Sequence, residues 1–310
     1  MCTFAFTMDN RQKAYRPCIA TIGFFDGVHN GHLCLIRQLK EEAERKGLLS
    51  LLITFDRHPR TILHPEESVS LLTTQQEKVD LLRQTGTDEV VVLPFTLELS
   101  RLTAREFMQK VLREQLGVAA LLLGYDHHFG RGGGSWDDYR AWGNESGIEV
   151  VRATELVGEH VSSSRCRQLL TAGDVSSVVN LLGRRYALGG QVVPGFHVGH
   201  ELGFPTANIK PDEGKLVPLR GVYAVWAILA DGTRYRAMLN IGNRPTIGNG
   251  DGVSVEVNLL DFHGNLYGQR IAVEFVGRLR DERCFASREA LIRQLQYDKE
   301  SAEHLLQDTF

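Results

Sequence analysis

Hydrophobic positions follow two different rhythms along the chain. Up to about residue 183, short apolar runs rich in β-branched residues alternate with segments of helical period; the runs are Cys18–Gly23, Leu49–Phe55, Glu89–Phe95, Ala119–Tyr125 and Ile148–Ala153. The segment after the first run places Leu33, Leu35, Ile36, Leu39 and Ala43 on or near one helical face and stops at Gly47. Further helices are predicted over Gln75–Gln84 and over Ala104–Gln115, the second opened by the capping box Thr103-x-x-Glu106. Continuously apolar strands separated by amphipathic helices predict a parallel sheet covered on both faces, an α/β doubly wound domain.

The rhythm changes after the short helix Val175–Leu182, where Gly183 closes the alternation. Beyond Arg184 the apolar runs are strand-like, with turns of Gly, Pro, Asp and Asn: Tyr186–Val193, Val222–Leu229, Tyr235–Ile241, Val253–Leu260 and Arg270–Val276. Asp231-Gly232 is a strong hairpin signal. The expectation is a small antiparallel β-barrel followed by one amphipathic helix over Ser287–Gln307. Two domains follow, residues 1–183 and 184–310.

Composition alters this picture little. A chain of 310 residues, 43% hydrophobic and 24% charged, is long enough for two cores and close to the globular average. A net charge of −3 with dispersed basic residues gives no reason to expect nucleic acid. Five scattered cysteines without a Cys-x-x-Cys pair suggest neither a disulfide framework nor a zinc site, and are expected to be reduced, mostly buried thiols. No run approaches the roughly 18 apolar residues of a membrane span, and the N-terminus lacks a basic region followed by an apolar stretch. No membrane partner is expected; the default location is the cytosol, and a homo-oligomer stays open.

Candidate chemistry sits where the strands end. Gly23-Phe24-Phe25-Asp26-Gly27-Val28-His29-Asn30-Gly31-His32 joins the first strand to a helix N-terminus, where backbone N–H groups and the helix dipole favour phosphate and glycines allow close approach. His29 and His32, three apart, share a face and could both donate to phosphate oxygens; a solvated pair on a Gly-rich connection is the alternative. Thr54-Phe55-Asp56-Arg57-His58-Pro59-Arg60 and Gly124-Tyr125-Asp126-His127-His128-Phe129-Gly130 end two further strands. Ser162-Ser163-Ser164-Arg165-Cys166-Arg167 reads as a helix cap, and equally as an anion clamp of hydroxyls, N–H groups and guanidinium. In the second half, Thr206 and Asn208 project to one side of an extended strand, two hard oxygens of the kind Mg²⁺ accepts; taken alone, a simple turn explains them as well. Glu256 lies in an otherwise apolar strand and faces the side opposite Val255 and Val257, which in a barrel suggests an inward carboxylate; an outward, solvated glutamate is the alternative. No GxxxxGK[ST] motif is present, so phosphate chemistry must use another device.

These strings resemble a known family over nearly the whole chain, from about Pro17 to Leu306. The first is similar to the HxGH signature of nucleotidyltransferases in the GFFDGVHxGH form found in FMN adenylyltransferases, the N-terminal half of bacterial bifunctional riboflavin kinase/FAD synthetases. The Thr54–Pro59 stretch resembles the family's TFxxHP, Gly124–Gly130 its GxDFxFG with His127 at a phenylalanine position, and Val161–Arg167 its ISSTxIR. Gly199-His200-Glu201-Leu202-Gly203-Phe204-Pro205-Thr206-Ala207-Asn208 resembles the GRxLGFPTAN of riboflavin kinases, with His200 in place of arginine. Gly221-Val222-Tyr223, Asn240–Thr246, Val255–Phe262, Leu266-Tyr267-Gly268 and Leu279-Arg280 follow in order.

The resemblance implies a Rossmann-like nucleotidyltransferase domain and a barrel riboflavin kinase domain, ATP and Mg²⁺ as co-substrate and cofactor, and riboflavin and FMN as substrates. It implies Glu256 as general base, with His29 and His32 at the adenylyl step. It places ATP phosphates on Gly23, Phe25, Asp26, Gly27, Gly31, Ser162, Ser163, Ser164, Arg167, Gly199 and Gly203, and flavin on Phe55, His58, Pro59, Asp126, Phe129 and Arg280. Metal would sit on Thr206 and Asn208. A single-activity enzyme would show broken motifs in one half, and a mere binding module would need neither Glu256 nor paired histidines.

Overall fold

A computed structural model describes residues 4–5, 16–64, 66, 69–124, 129–154, 161–194, 204–243 and 252–307. Residues 125–128 (Asp126 and His127 among them), 199–203 (Gly199, His200 and Gly203 among them) and 244–246 of the motifs above lie outside the described residues. Contacts divide the chain into two compact units, Met1–Val161 and Ser162–Phe310.

The first unit is built on a six-stranded parallel sheet: β1 (Phe4–Ala5), β2 (Cys18–Ile22), β3 (Leu49–Phe55), β4 (Glu89–Leu93), β5 (Val118–Leu123) and β6 (Glu149–Arg152), in the order β1-β4-β3-β2-β5-β6. Alternation along the strands feeds two cores. Ile19, Leu52, Val90 and Leu122 face α1 (Asn30–Lys46) through its Ile36, Leu39 and Ala43. Ile22, Ile53, Val91 and Leu121 face the opposite layer, led by Phe107, Met108 and Leu112. From β2 the chain winds first towards β3 and later crosses to β5, so the topological switch point lies at the carboxyl end of β2, where such sheets open a ligand crevice.

One helical expectation changes. Ala104–Gln115 continues beyond Phe107 as a π-helix, Met108–Arg113, with Leu116 N–H donating to Val111 O at 3.0 Å. Phe107, Val111, Leu112 and Leu116 recur every four or five residues, and the wider π turn keeps them on the buried face. The helix Trp136–Ser146 was not foreshadowed by periodicity: only Tyr139, Gly143 and Ser146 of it are buried, too thin a stripe to read as amphipathic.

The second unit opens with helices Ser163–Thr171 and Val178–Leu182 and continues into a closed antiparallel barrel of β7 (Ala187–Val193), β8 (Ala207–Pro211), β9 (Gly221–Ile228), β10 (Arg234–Asn243), β11 (Val253–Leu259) and β12 (Arg270–Arg280). Their order around the barrel is β10-β11-β8-β7-β12-β9. The sixth strand, β8, carries Asn208 and supplements the five apolar runs. Tyr223, Val225, Leu239, Val257, Val273 and Phe275 are fully enclosed and fill the interior. The C-terminal helix Arg288–Gln307 lies on the outer wall, seating Ala302 and Leu306 against Ala224, Trp226, Met238 and Leu260.

This arrangement corrects the orientation expected for Glu256. Val255 and Val257 occupy the interior, and Glu256 shares its face with Met238, which packs beneath the C-terminal helix. The carboxylate therefore points outward, into a space roofed by that helix.

Candidate active sites

In the first unit, the turn after β2 is folded tightly and against backbone preference. Phe25 and Val28 hold φ values of 56° and 41°, a left-handed conformation that side-chain-bearing residues adopt only when surroundings over-determine it. The determinant is Asp26. Its buried carboxylate accepts from Leu72 N–H at 3.0 and 3.1 Å and from the Thr73 N–H and hydroxyl, each at 3.1 Å, while Gly27 N–H donates to Thr73 Oγ1. Asp26 and Gly27 thus anchor the turn, and Phe25 is buried in the core against the edge of His32.

His29 caps α1, and its Nδ1 accepts the His32 backbone N–H at 3.3 Å. That bond leaves the proton of the neutral ring on Nε2, which makes Nε2 a donor. The two imidazoles stack, 3.6 Å between centroids and 15° from parallel. At Gly31 a side chain would press on the His29 ring at 3.2 Å and on Val161 O at 3.3 Å, so the glycine of the motif leaves room for the stack.

Beside this turn lies an apolar cavity of about 620 Å³ walled by Phe24, Phe55, Pro59, Phe95, Leu97 and Phe129, with Arg101 and Arg131 also lining it. Phe55, Pro59 and Phe129 were expected at a flavin. His58 does not line the cavity; it caps the helix Pro59–Leu63 and packs edge-on against Phe24 at 4.6 Å. Reading the sequence missed Phe24, Phe95 and Leu97, and also Lys78, which is 1% exposed behind the wall. Lys78 shares the buried face of its helix with Val79 and Leu82, and a lysine within an apolar stripe was the available signal.

In the second unit the barrel register gathers the candidates. Glu256 is paired with Asn208 of β8 on one side and Asn240 of β10 on the other, and directly opposed residues share a face. Thr206, Asn240, Glu256 and Asn258 line a cavity of about 730 Å³ between the outer wall and the C-terminal helix. Asn258 donates to Pro205 O at 2.6 Å and so fixes the chain entering Thr206. Burial pushes the Glu256 carboxyl above its ordinary value. Arg280 lines the cavity too, but its guanidinium is engaged by Asp298 of the C-terminal helix, Nε to both carboxylate oxygens at 3.0 Å.

Ser162 caps the helix Ser163–Thr171 by accepting from Arg165 N–H, Ser163 and Arg167 are half-buried, and Ser164 is exposed. Of the cysteines expected to be buried, Cys18 and Cys166 are, Cys34 is half-buried and Cys284 is exposed. Among the described residues no cluster of three His, Cys, Asp or Glu could hold a metal, and no helix is long and apolar enough to cross a membrane.

Both halves of the chain match known families. The FAD synthetase family model matches residues 11–165 and the riboflavin kinase family model matches residues 182–306. The bifunctional riboflavin kinase/FMN adenylyltransferase of Pseudomonas fluorescens is 37% identical over 96% of both chains. The chain belongs to this family. The Escherichia coli K12 member of the bifunctional riboflavin kinase/FMN adenylyltransferase family is 34% identical over 94% of this chain and 93% of its own. A Streptococcus pneumoniae crystal structure described as a macrolide-efflux protein superposes with a TM-score of 0.85 at 29% identity, over 95% of this chain and 96% of that one.

Proposed function

We propose that Glu256 is the base of the riboflavin kinase step and that His29 and His32 serve the adenylyl step. The chain is a transferase with both activities of its family: riboflavin is phosphorylated by ATP to FMN, and FMN is adenylylated by a second ATP to FAD and pyrophosphate. The reading rests above all on the three-strand register that sets Asn208 and Asn240 on either side of Glu256, with Thr206, Asn240 and Glu256 lining one cavity.

In the kinase step, Glu256 accepts the proton of the ribityl 5′-hydroxyl as that oxygen attacks the γ-phosphorus and ADP leaves. Its raised pKa makes it a stronger acceptor than a solvated glutamate. Thr206 and Asn208 offer two neutral oxygens next to one carboxylate, a donor set that suits an ion taking few protein ligands, and they would hold Mg²⁺. Bound there, the ion would neutralise phosphate charge. Asn258 keeps Thr206 in place through Pro205.

In the adenylyl step, the FMN phosphate oxygen attacks the α-phosphorus of ATP and pyrophosphate departs. No enzyme nucleophile is needed. The His29 Nε2–H and the α1 N-terminus stabilise developing charge, and the apolar cavity holds the isoalloxazine ring. Asp26 and Gly27 act by anchoring the turn. Ser163, Ser164 and Arg167 belong by their family motif to the adenylyltransferase half, which puts the functional division at 183, with 184–310 as the kinase domain. The reactions are those of a cytosolic enzyme with small-molecule partners.

Chromatography of riboflavin with ATP and Mg²⁺ tests the assignment. The unmodified chain is expected to yield FMN and then FAD; Glu256→Ala makes no FMN but converts supplied FMN; His29→Ala/His32→Ala stops at FMN. Absence of FMN with the unmodified chain would overturn the kinase reading. Chelation of Mg²⁺ is expected to stop both steps, and kinase activity persisting in chelator would reject Thr206 and Asn208 as ligands.

A further inference from the structure

Lys78 is a cation that neither step uses. It lies on the inner face of the helix Gln75–Gln84, and its ammonium has almost no contact with solvent. Such a group is retained only where oriented partners replace its water. Its Nζ donates to Phe55 O at 2.7 Å and stands 3.8 Å from the centroid of the Phe24 ring. The carboxylates of Asp26 and Asp56 supply the opposing charge. Phe24 and Phe55 come from different elements, the strained turn after β2 and the end of β3, and both are walls of the apolar cavity. Lys78 itself stays behind them.

We propose that Lys78 is a positioning residue for the adenylyl step, fixing the Phe24 ring and the end of β3 relative to each other and so setting the slot that receives the isoalloxazine ring of FMN. This rests on the assignment of that cavity to flavin. The two contacts are directional in ways an apolar side chain of equal length cannot reproduce: a cation over a ring face fixes the plane of the ring, and a hydrogen bond to a strand-end carbonyl fixes the strand. The turn needs such a brace, because Phe25 and Val28 follow Phe24 in conformations the backbone would otherwise abandon.

Desolvation, opposed by Asp26 and Asp56, brings the Lys78 pKa down from 10.5 to about 8. The cation over the Phe24 ring is therefore present below that pH and lost above it, while the neutral amine still donates to Phe55 O. Because the folded value is the lower one, the residue's contribution to stability is complete only above 10.5 and is lost as pH falls through about 8. At neutral pH the charge costs stability, a pattern expected of a group kept for activity.

The test measures KM for FMN and kcat for FAD formation in the full chain, Lys78→Met, Lys78→Arg and Leu97→Arg, with kinase activity and thermal unfolding on the same samples. Lys78→Met is expected to raise KM for FMN about tenfold with little change in kcat. Its unfolding temperature should be unchanged or higher, its kinase activity intact, and Lys78→Arg should recover part of the affinity. In the unmodified chain KM for FMN should rise from about pH 8 to 9.5, where the FMN phosphate, with its second pKa near about 6, no longer titrates. That rise should vanish in Lys78→Met. An unaltered KM in Lys78→Met, or a flat KM across this range in the unmodified chain should the variant not fold, overturns the proposal. If Leu97→Arg leaves KM for FMN unchanged, the cavity assignment itself fails; if it raises KM while Lys78→Met does not, the cavity stands and Lys78 is excluded.

Discussion

At the scale of residues, two carboxylates do opposite work. Glu256 is half-buried with a raised pKa caused by desolvation, and a base must be ionised to act. The acid limb of the kinase pH profile should therefore lie above the range of an ordinary glutamate, and steady-state rates of FMN formation against pH will locate it. A group whose folded pKa is raised contributes stability only below its unfolded value and loses it as pH rises through the folded one. Glu256→Gln should accordingly cost about 10²- to 10⁴-fold in kinase rate while leaving the unfolding temperature equal or higher near neutrality. Asp26 has a structural task instead, its carboxylate being satisfied by backbone and hydroxyl donors. Asp26→Asn replaces one accepting oxygen by a donor facing other donors and should cost about 2 kcal/mol, read as a lower urea midpoint. Adenylyl activity should fall with it and kinase activity should persist.

At the scale of elements, the C-terminal helix matters through one ion pair as much as through its apolar seam. Asp298, 2% exposed, meets Arg280 of β12 across the kinase cavity, and Gln294 adds a hydrogen bond at 2.7 Å. Asp298→Ala leaves a largely buried guanidinium without its partner, which should cost about 3–5 kcal/mol, whereas replacing both residues by apolar ones should cost much less. Denaturant unfolding of the single and double variants will separate the two. The elements themselves were legible where one interaction dominates: β2 is buried on both faces and reads as an apolar run, and α1 carries a clear stripe ended by Gly47. The helix Trp136–Ser146 was not, because its packing uses Tyr139 and the absence of a side chain at Gly143. Glu256 was found, but its direction was not: period-two alternation gives the face, and only the helix laid over the barrel says which face is roofed. Lys78 escaped because its partners, Phe24 and a carbonyl of β3, are distant in sequence.

At the scale of the whole molecule, two activities on one chain predict complementation. An equimolar mixture of Glu256→Ala with His29→Ala/His32→Ala should restore FAD formation from riboflavin, since FMN released by one chain is substrate for the other; coupled chromatographic assay reads this directly, and no recovery would show that FMN does not pass between chains. The two units also differ in a way that concerns survival more than catalysis. Closure of the barrel pairs every one of its strands on both sides, so it presents no unpaired row of N–H and C=O groups to a neighbour. The parallel sheet, by contrast, ends at β6, a four-residue strand bounded by Glu149 and Arg152, with Glu149 held by Lys46 at 2.6 Å. Shortness and charge are what discourage a second chain from adding itself there, and uncharged replacements of Glu149 and Arg152 would turn the sheet's margin into a template for aggregation.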